Sequence, residues 1–365
     1  MKTRHGAAVM VVVMAILVAT VFVFVRVKTA IPRRAVNSAV GVSAATGPES
    51  RAPRTGSSTV ERAPAALHGS GNGVHTAAAW PYVRFIVVRN VLPQGLVGVS
   101  LSIGGRKGIF AAGGYNGLQS VSDVRQVFPK QRLFAHLTVP THDAASGWIG
   151  SDLYVFGGGQ ALSYNTIVRV QPSLAMVIDR LPTALSDAGM VPYAGGALLV
   201  GGHNGNIFSK EALLYTHQGP VLRARALFRL PAGLRYAGIA SMGKRLWIAG
   251  GRTADGMSRD IYYFAPGLTE ARAVGRLPVA IDKAAAWAVP GYVLIAGGQT
   301  LQGAPQKNVY AFNILTRKIR VVGTLPTPLA DMGYASNGQG AYMVGGATAA
   351  NLSALSRNLV VIYTT

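Results

Sequence analysis

The sequence predicts an all-β fold in which six four-stranded units close into a ring, preceded by one membrane-spanning helix and a flexible linker. Three observations carry that expectation. An apolar strand ending in Gly-Gly recurs six times at a near-constant spacing, a more basic strand ending in Leu-Pro or Val-Pro alternates with it, and one uncharged run of nineteen residues lies near the start.

Taken in order, residues 1–6 (MKTRHG) are a short flank and residues 7–25 (AAVMVVVMAILVATVFVFV) carry no charge. At ~1.5 Å per residue this run spans roughly the 30 Å hydrocarbon core of a bilayer. It exceeds the ~7–15 residues of a signal-peptide apolar region and no A-x-A site follows it promptly, so an uncleaved anchor is expected. Lys2 and Arg4 precede the run while Arg26, Lys28, Arg33 and Arg34 follow it. By that bias alone the C-terminal side belongs in the cytoplasm. Residues 26–81, rich in Ala, Gly, Ser, Thr and Pro, argue the other way: they read as a flexible stalk, of the kind that more often carries a domain outside the cell. The expectation is a membrane-anchored domain at the cell surface.

Residues 82–365 hold the repeat. Its copies are GIFAAGG (108–114), DLYVFGG (152–158), ALLVGG (197–202), RLWIAGG (245–251), YVLIAGG (292–298) and AYMVGG (341–346), with second glycines 44, 44, 49, 47 and 48 residues apart. That period suits four short strands, and each apolar run is too short for a helix. After each pair a polar loop leads to another strand: DVRQVF, TIVRV, ALLYT, DIYYF, NVYAF and NLVVIY. A basic strand then ends at Pro140, Pro182, Pro231, Pro278 or Pro326. A sixth such ending, YVRFIVVRNVLP (82–93), stands before the first copy, and the last copy lacks one. The count closes if the N-terminal strand becomes the outer strand of the sixth sheet, leaving the ring no open edge and a monomer self-sufficient.

The fifth copy, GGQTLQGAPQKNVYAFNILTRKIRVVGTLPTP (297–328), resembles the kelch-repeat family in its double glycine, its small-aromatic strand and its Leu-Pro. It departs from the family pattern in lacking a tryptophan on the outer strand. The resemblance covers residues 82–365 and implies a divergent six-bladed β-propeller. Kelch propellers serve as enzymes and as binding modules, so fold does not give function.

Composition narrows the chemistry. With no cysteine among 365 residues, the chain has no disulfide, thiolate zinc site, cysteine nucleophile or iron–sulfur cluster. The copper radical oxidases among kelch propellers need a cysteine linked to tyrosine, and the S-x-D-x-G-x-x-W box of sialidase propellers is also missing. Lysine and arginine number 35 against 13 acidic residues, a balance that attracts polyanions and changes little between pH 7 and about 4, where few groups titrate. Arg84, Arg89, Arg132, Arg223, Arg225, Arg229, Arg272, Arg276, Arg317, Lys318 and Arg320 fall on or beside outer strands. They either discourage edge-to-edge pairing or dock the domain on an anionic wall polymer or lipid head groups. Nucleic acid is disfavoured, because no stacking aromatics interleave with these bases.

In a four-stranded blade, the glycine-pair loops and the blade-to-blade connections share one face. Five residues after each blade-ending proline stand Gly98, Ala145, Asp187, Tyr236, Lys283 and Asp331, expected at the mouth of the central channel. Arg235, Asp282, His142, His203 and Arg252 adjoin them. This set suits a sugar or another polar ligand, with Tyr236 as the aromatic platform, although the charged members also suit mutual pairing around water. No metal-ligand spacing includes His142 or His203, and no cofactor is expected. The leading expectation is a binding module without catalysis. The alternative, by analogy, is a carbohydrate-active enzyme of the sugar-acid mutarotase or epimerase kind, in which Asp187 and Asp331 divide acid and base roles.

Overall fold

The computed structural model describes residues 79–338 and 340–365. These form six antiparallel four-stranded sheets, the blades of a β-propeller. From the channel outward, blade 1 consists of Ser100–Ile103, Ile109–Ala112, Val121–Phe128 and Arg132–Thr141; blade 2 of Ala145–Ile149, Asp152–Phe156, Thr166–Gln171 and Leu174–Arg180. Blade 3 is Gly189–Tyr193, Gly196–Val200, Glu211–Gln218 and Val221–Arg229; blade 4 is Gly238–Met242, Arg245–Ala249, Asp260–Phe264 and Arg272–Arg276. Blade 5 is Asp282–Val289, Tyr292–Gln299, Asn308–Asn313 and Ile319–Thr324.

Blade 6 takes three strands from the C-terminus, Gly333–Ser336, Gly340–Val344 and Leu359–Thr364, and its outer strand, Val83–Val88, from the start of the domain. The two ends pair antiparallel from Val83 opposite Thr364 to Val88 opposite Leu359. The closure expected from the unmatched first and last repeats is therefore present. The expected anchor at 7–25, and the linker as far as residue 78, lie outside the described residues. Among those described, no helix is long and apolar enough to cross a membrane.

The second strand of each blade is apolar along its centre because both of its faces are covered there. Leu246 and Ile248 pack with Leu198 and Phe228 of blade 3, whereas their neighbours Trp247 and Ala249 pack with Ala286 and Ile295 of blade 5. Alternate side chains of one strand thus fill two different interfaces. Six such apolar clusters, one between each pair of adjacent blades, make up the core.

The repeated glycines tie each blade to the channel. In all six copies the second glycine donates its N–H to a carbonyl of the blade-to-blade connection: Thr141, Leu185, Leu234, Ile281, Leu329 or Leu96, at 2.7–2.9 Å. A Cβ on the first glycine would collide with that same carbonyl oxygen in every copy, and its φ lies between 58° and 69°. Only glycine meets both demands.

Candidate functional site

Two residues beyond each of those carbonyls, the chain reaches the channel mouth. There Asp143 donates its N–H to the carbonyl of Gly98 (2.8 Å), Asp187 to Asp143 (2.9 Å), Tyr236 to Asp187 (3.0 Å), Lys283 to Tyr236 (2.9 Å) and Asp331 to Lys283 (3.1 Å), and Gly98 closes the circle on Asp331 (3.0 Å). All six residues have φ between 55° and 63°. Five of them are not glycine, and left-handed backbone in bulky residues such as Tyr236 and Lys283 is uncommon and costs free energy. Strain of this kind persists where the surroundings enforce it, and it gathers at functional sites.

Blade 2 departs from the expected register. The ring residue it supplies is Asp143, three positions after Pro140, and Ala145 begins the inner strand below it. The reason is local: the outer strand of blade 1 runs on through Pro140 to Thr141, so the connection is two residues shorter than the others. The mouth therefore carries three carboxylates, not two.

Their partners are unequal. Asp331 takes the Lys283 ammonium at 2.5 Å, and Asp187 takes Arg235 at 3.2 Å. Asp143 has no cation as close: it accepts the Tyr236 hydroxyl at 3.1 Å and shares a side-chain hydrogen bond with Asp187, with His142 Nε2 3.8 Å away. Lys283 and Arg235 also lie over the Tyr236 ring, at 4.4 and 5.1 Å from its centre, where the negative π-face favours a cation. Burial, then the neighbouring Asp187 carboxylate, raises the Asp143 carboxyl to about 6, although Lys283 and His142 pull it down. Burial also raises Asp187 and Asp331, against the opposing effects of Arg235 and Lys283. Lys283 is disfavoured as a cation by its own burial, yet Asp331 and Asp143 outweigh that and lift it to about 12. Burial and the nearby carboxylates push Tyr236 far above its ordinary value, so it stays a hydroxyl donor.

Above the ring, Tyr115, His142, Asp143, Tyr236, Lys283 and Asp331 help line a cavity of about 390 Å3. Beside it, a cavity of about 260 Å3 opens between His142, Gln160, Asp187, His203, Asn204 and Arg235. His142 is fixed by Ser120 (2.8 Å), and the Nδ1 of His203 accepts from the Gly205 N–H (3.1 Å). Burial and Arg235 both hold His203 toward its neutral form. Asp282 and Arg252 are placed elsewhere: they form a 2.9 Å ion pair in which Asp282 is fully buried, and neither lines the two cavities. Among the described residues no cluster of His, Cys, Asp and Glu has the form of a metal site.

Fold and mouth together define a six-bladed β-propeller with a polar, charge-paired channel entrance. Among solved structures, the chain is similar to one titled "Structure of YjhT", with a TM-score of 0.62, 16% sequence identity, and coverage of 75% of this chain and 99% of that one. At that identity the likeness shows the fold. No known protein family matches the chain, and no curated protein sequence does.

Proposed function

We propose that this protein is a divergent kelch-type propeller, anchored in a membrane by residues 7–25 and held outside the cytoplasm, that binds a polar ligand or protein partner at its channel mouth. The observation that carries this reading is the strained ring: three carboxylates, a tyrosine and a lysine meet on one rigid frame beneath an open cavity. Positive and negative groups nearly balance there, which favours a neutral or zwitterionic ligand rich in hydroxyl groups over a simple ion. The rim supports the same reading. Leu118, Leu162, Ile207 and Leu301, in four of the six glycine-pair loops, are 90%, 79%, 66% and 72% exposed, so apolar tips surround a polar centre much as a binding surface requires.

A second reading, acid–base catalysis on a carbohydrate, is favoured by one observation. Asp143 is buried beside the Asp187 carboxylate, and both effects raise its carboxyl to about 6, toward the range in which such a group can give and take a proton near neutral pH. A panel of sugars and sugar acids separates the two, with calorimetry reporting binding and NMR reporting anomeric or epimeric exchange. Binding lost in Asp187→Ala and Asp331→Ala, with no turnover by wild type, supports the module. Turnover lost in Asp143→Asn with binding retained supports the enzyme, and indifference of every readout to all three changes removes the mouth from consideration.

A further inference from the structure

The turns on the face opposite the mouth line a further cavity, of about 460 Å3, between blades 1 and 2. Blade 1 contributes Arg106 and Lys107 from the hairpin joining its two inner strands, Lys130 from the hairpin joining its two outer ones, and Arg132 from the start of the outermost strand. Carboxylates are scarce in this chain, and many bases lack one. What sets this place apart is that four of them meet over an aromatic floor.

Phe110 lies edge-to-face against Phe134 at 4.9 Å and against Trp148 at 5.2 Å, and the half-buried faces of Phe134 and Trp148 line the cavity. Lys107 stands 4.8 Å over the Trp148 ring and donates to the Ser151 carbonyl. The Nε of Arg132 is held by Gln126 at 2.8 Å. None of the four cations pairs with a carboxylate among the described residues; the one carboxylate lining the cavity, Asp152, accepts from Gln171 on the facing wall of blade 2.

We infer that this cavity binds an acidic saccharide unit, a pyranose carrying a carboxylate, sulfate or phosphate group. Each wall assigns part of that ligand. The bases of blade 1 take the anionic group through charge-assisted hydrogen bonds, and the indole and phenyl faces take the apolar C–H face of the ring. On the other wall, Asp152 accepts hydrogen bonds from sugar hydroxyls and repels a second anionic group, which disfavours a bare polyphosphate backbone. The volume accommodates one or two sugar residues. The inference is independent of what the mouth binds, and it gives a specific place to an anionic surface polymer as partner.

The test uses the full chain in detergent micelles and fluorescently labelled trigalacturonate, sulfated and phosphorylated trisaccharides, and the neutral methyl ester of trigalacturonate, titrated by anisotropy at several salt concentrations. At least one acidic trisaccharide is expected to bind at least tenfold tighter than the neutral ester, with affinity falling as salt rises. Arg106→Glu/Lys130→Glu, both exposed hairpin positions, is expected to weaken it at least tenfold without lowering the melting temperature, and Trp148→Leu to weaken it independently of salt. Arg317→Glu/Lys318→Glu, on a hairpin of blade 5, makes the same change in net charge and is expected to have little effect. Equal losses in both double variants reduce the effect to overall charge and overturn the proposal. So do failure of all three acidic probes to bind, and tighter binding of a thymidine oligonucleotide of equal charge.

Discussion

At the scale of single residues the mouth is governed by Asp143. Its carboxyl holds a proton more tightly in the folded protein, near 6, than in the unfolded chain, near 3.8. The sign follows from linkage: folding takes up a proton between these values, so this group costs stability above pH 6 and releases that cost as pH falls toward 4. The amount is on the order of 2–3 kcal/mol, and Asp187 and Asp331 are shifted in the same direction. Thermal melting is expected to show a midpoint that rises from pH 7.5 to pH 5. In Asp143→Asn, melting at pH 7.5 is expected to be higher than in wild type and the rise shallower; an unchanged pH profile counts against the assignment. Lys283→Met is expected to act oppositely at neutral pH, lowering stability by about 3 kcal/mol in the same assay, because it strands the buried Asp331 carboxylate. Asp143 is also where sequence reading fell short. Counting from prolines works in five copies and slips in the second, whose connection is two residues shorter. The signal was present in another form: Asp143-Ala-Ala matches Asp187-Ala-Gly, Tyr236-Ala-Gly and Lys283-Ala-Ala, because small residues are needed where neighbouring inner strands crowd the channel.

Among the elements, the glycine-ended second strand was the most legible, since burial of both faces writes a continuous apolar run and steric collision excludes every residue but glycine at its end. The outer strands were legible from their proline stops. Pairing was less so: Arg229 and Arg276 form ion pairs with Glu211 and Asp260 of the adjoining strands, contacts that depend on register and leave no mark in the sequence. The two kinds of glycine give a test. Gly250 and Gly243 share a left-handed φ, but only at Gly250 would a Cβ meet a carbonyl oxygen, that of Ile281. Gly243→Ala is expected to cost about 1 kcal/mol of strain alone, and Gly250→Ala more than about 3 kcal/mol, as measured by denaturant unfolding. Similar losses at both positions would mean that conformation, not contact, sets the requirement.

For the whole molecule the decisive feature is closure by Val83–Val88. A chain beginning at Ala79 keeps that strand, with Trp80 resting against Tyr292 and beneath Arg320, and is expected to unfold in one transition at the full-length temperature. A chain beginning at Asn90 leaves the edge of Leu359–Thr364 unpaired and exposes its apolar neighbours; it is expected to aggregate or melt at least 10 degrees lower by calorimetry and gel filtration, on the order of 5 kcal/mol or more for a domain this size. The ring count was readable because the first and last repeats are each incomplete in complementary ways. What the assembled mouth does was not, since it depends on six residues from six distant stretches.

The circle of backbone hydrogen bonds at the mouth has an electrostatic consequence. Its six N–H and C=O dipoles all point the same way around the channel, so they chase one another tangentially and their vectors sum to nearly zero. A helix end offers a fixed pole to any ion that approaches it, whereas this frame offers none. The sign of the entrance is thus written only by the side chains mounted on it, and exchanging one of them would re-tune what the channel attracts while leaving the scaffold's own field untouched.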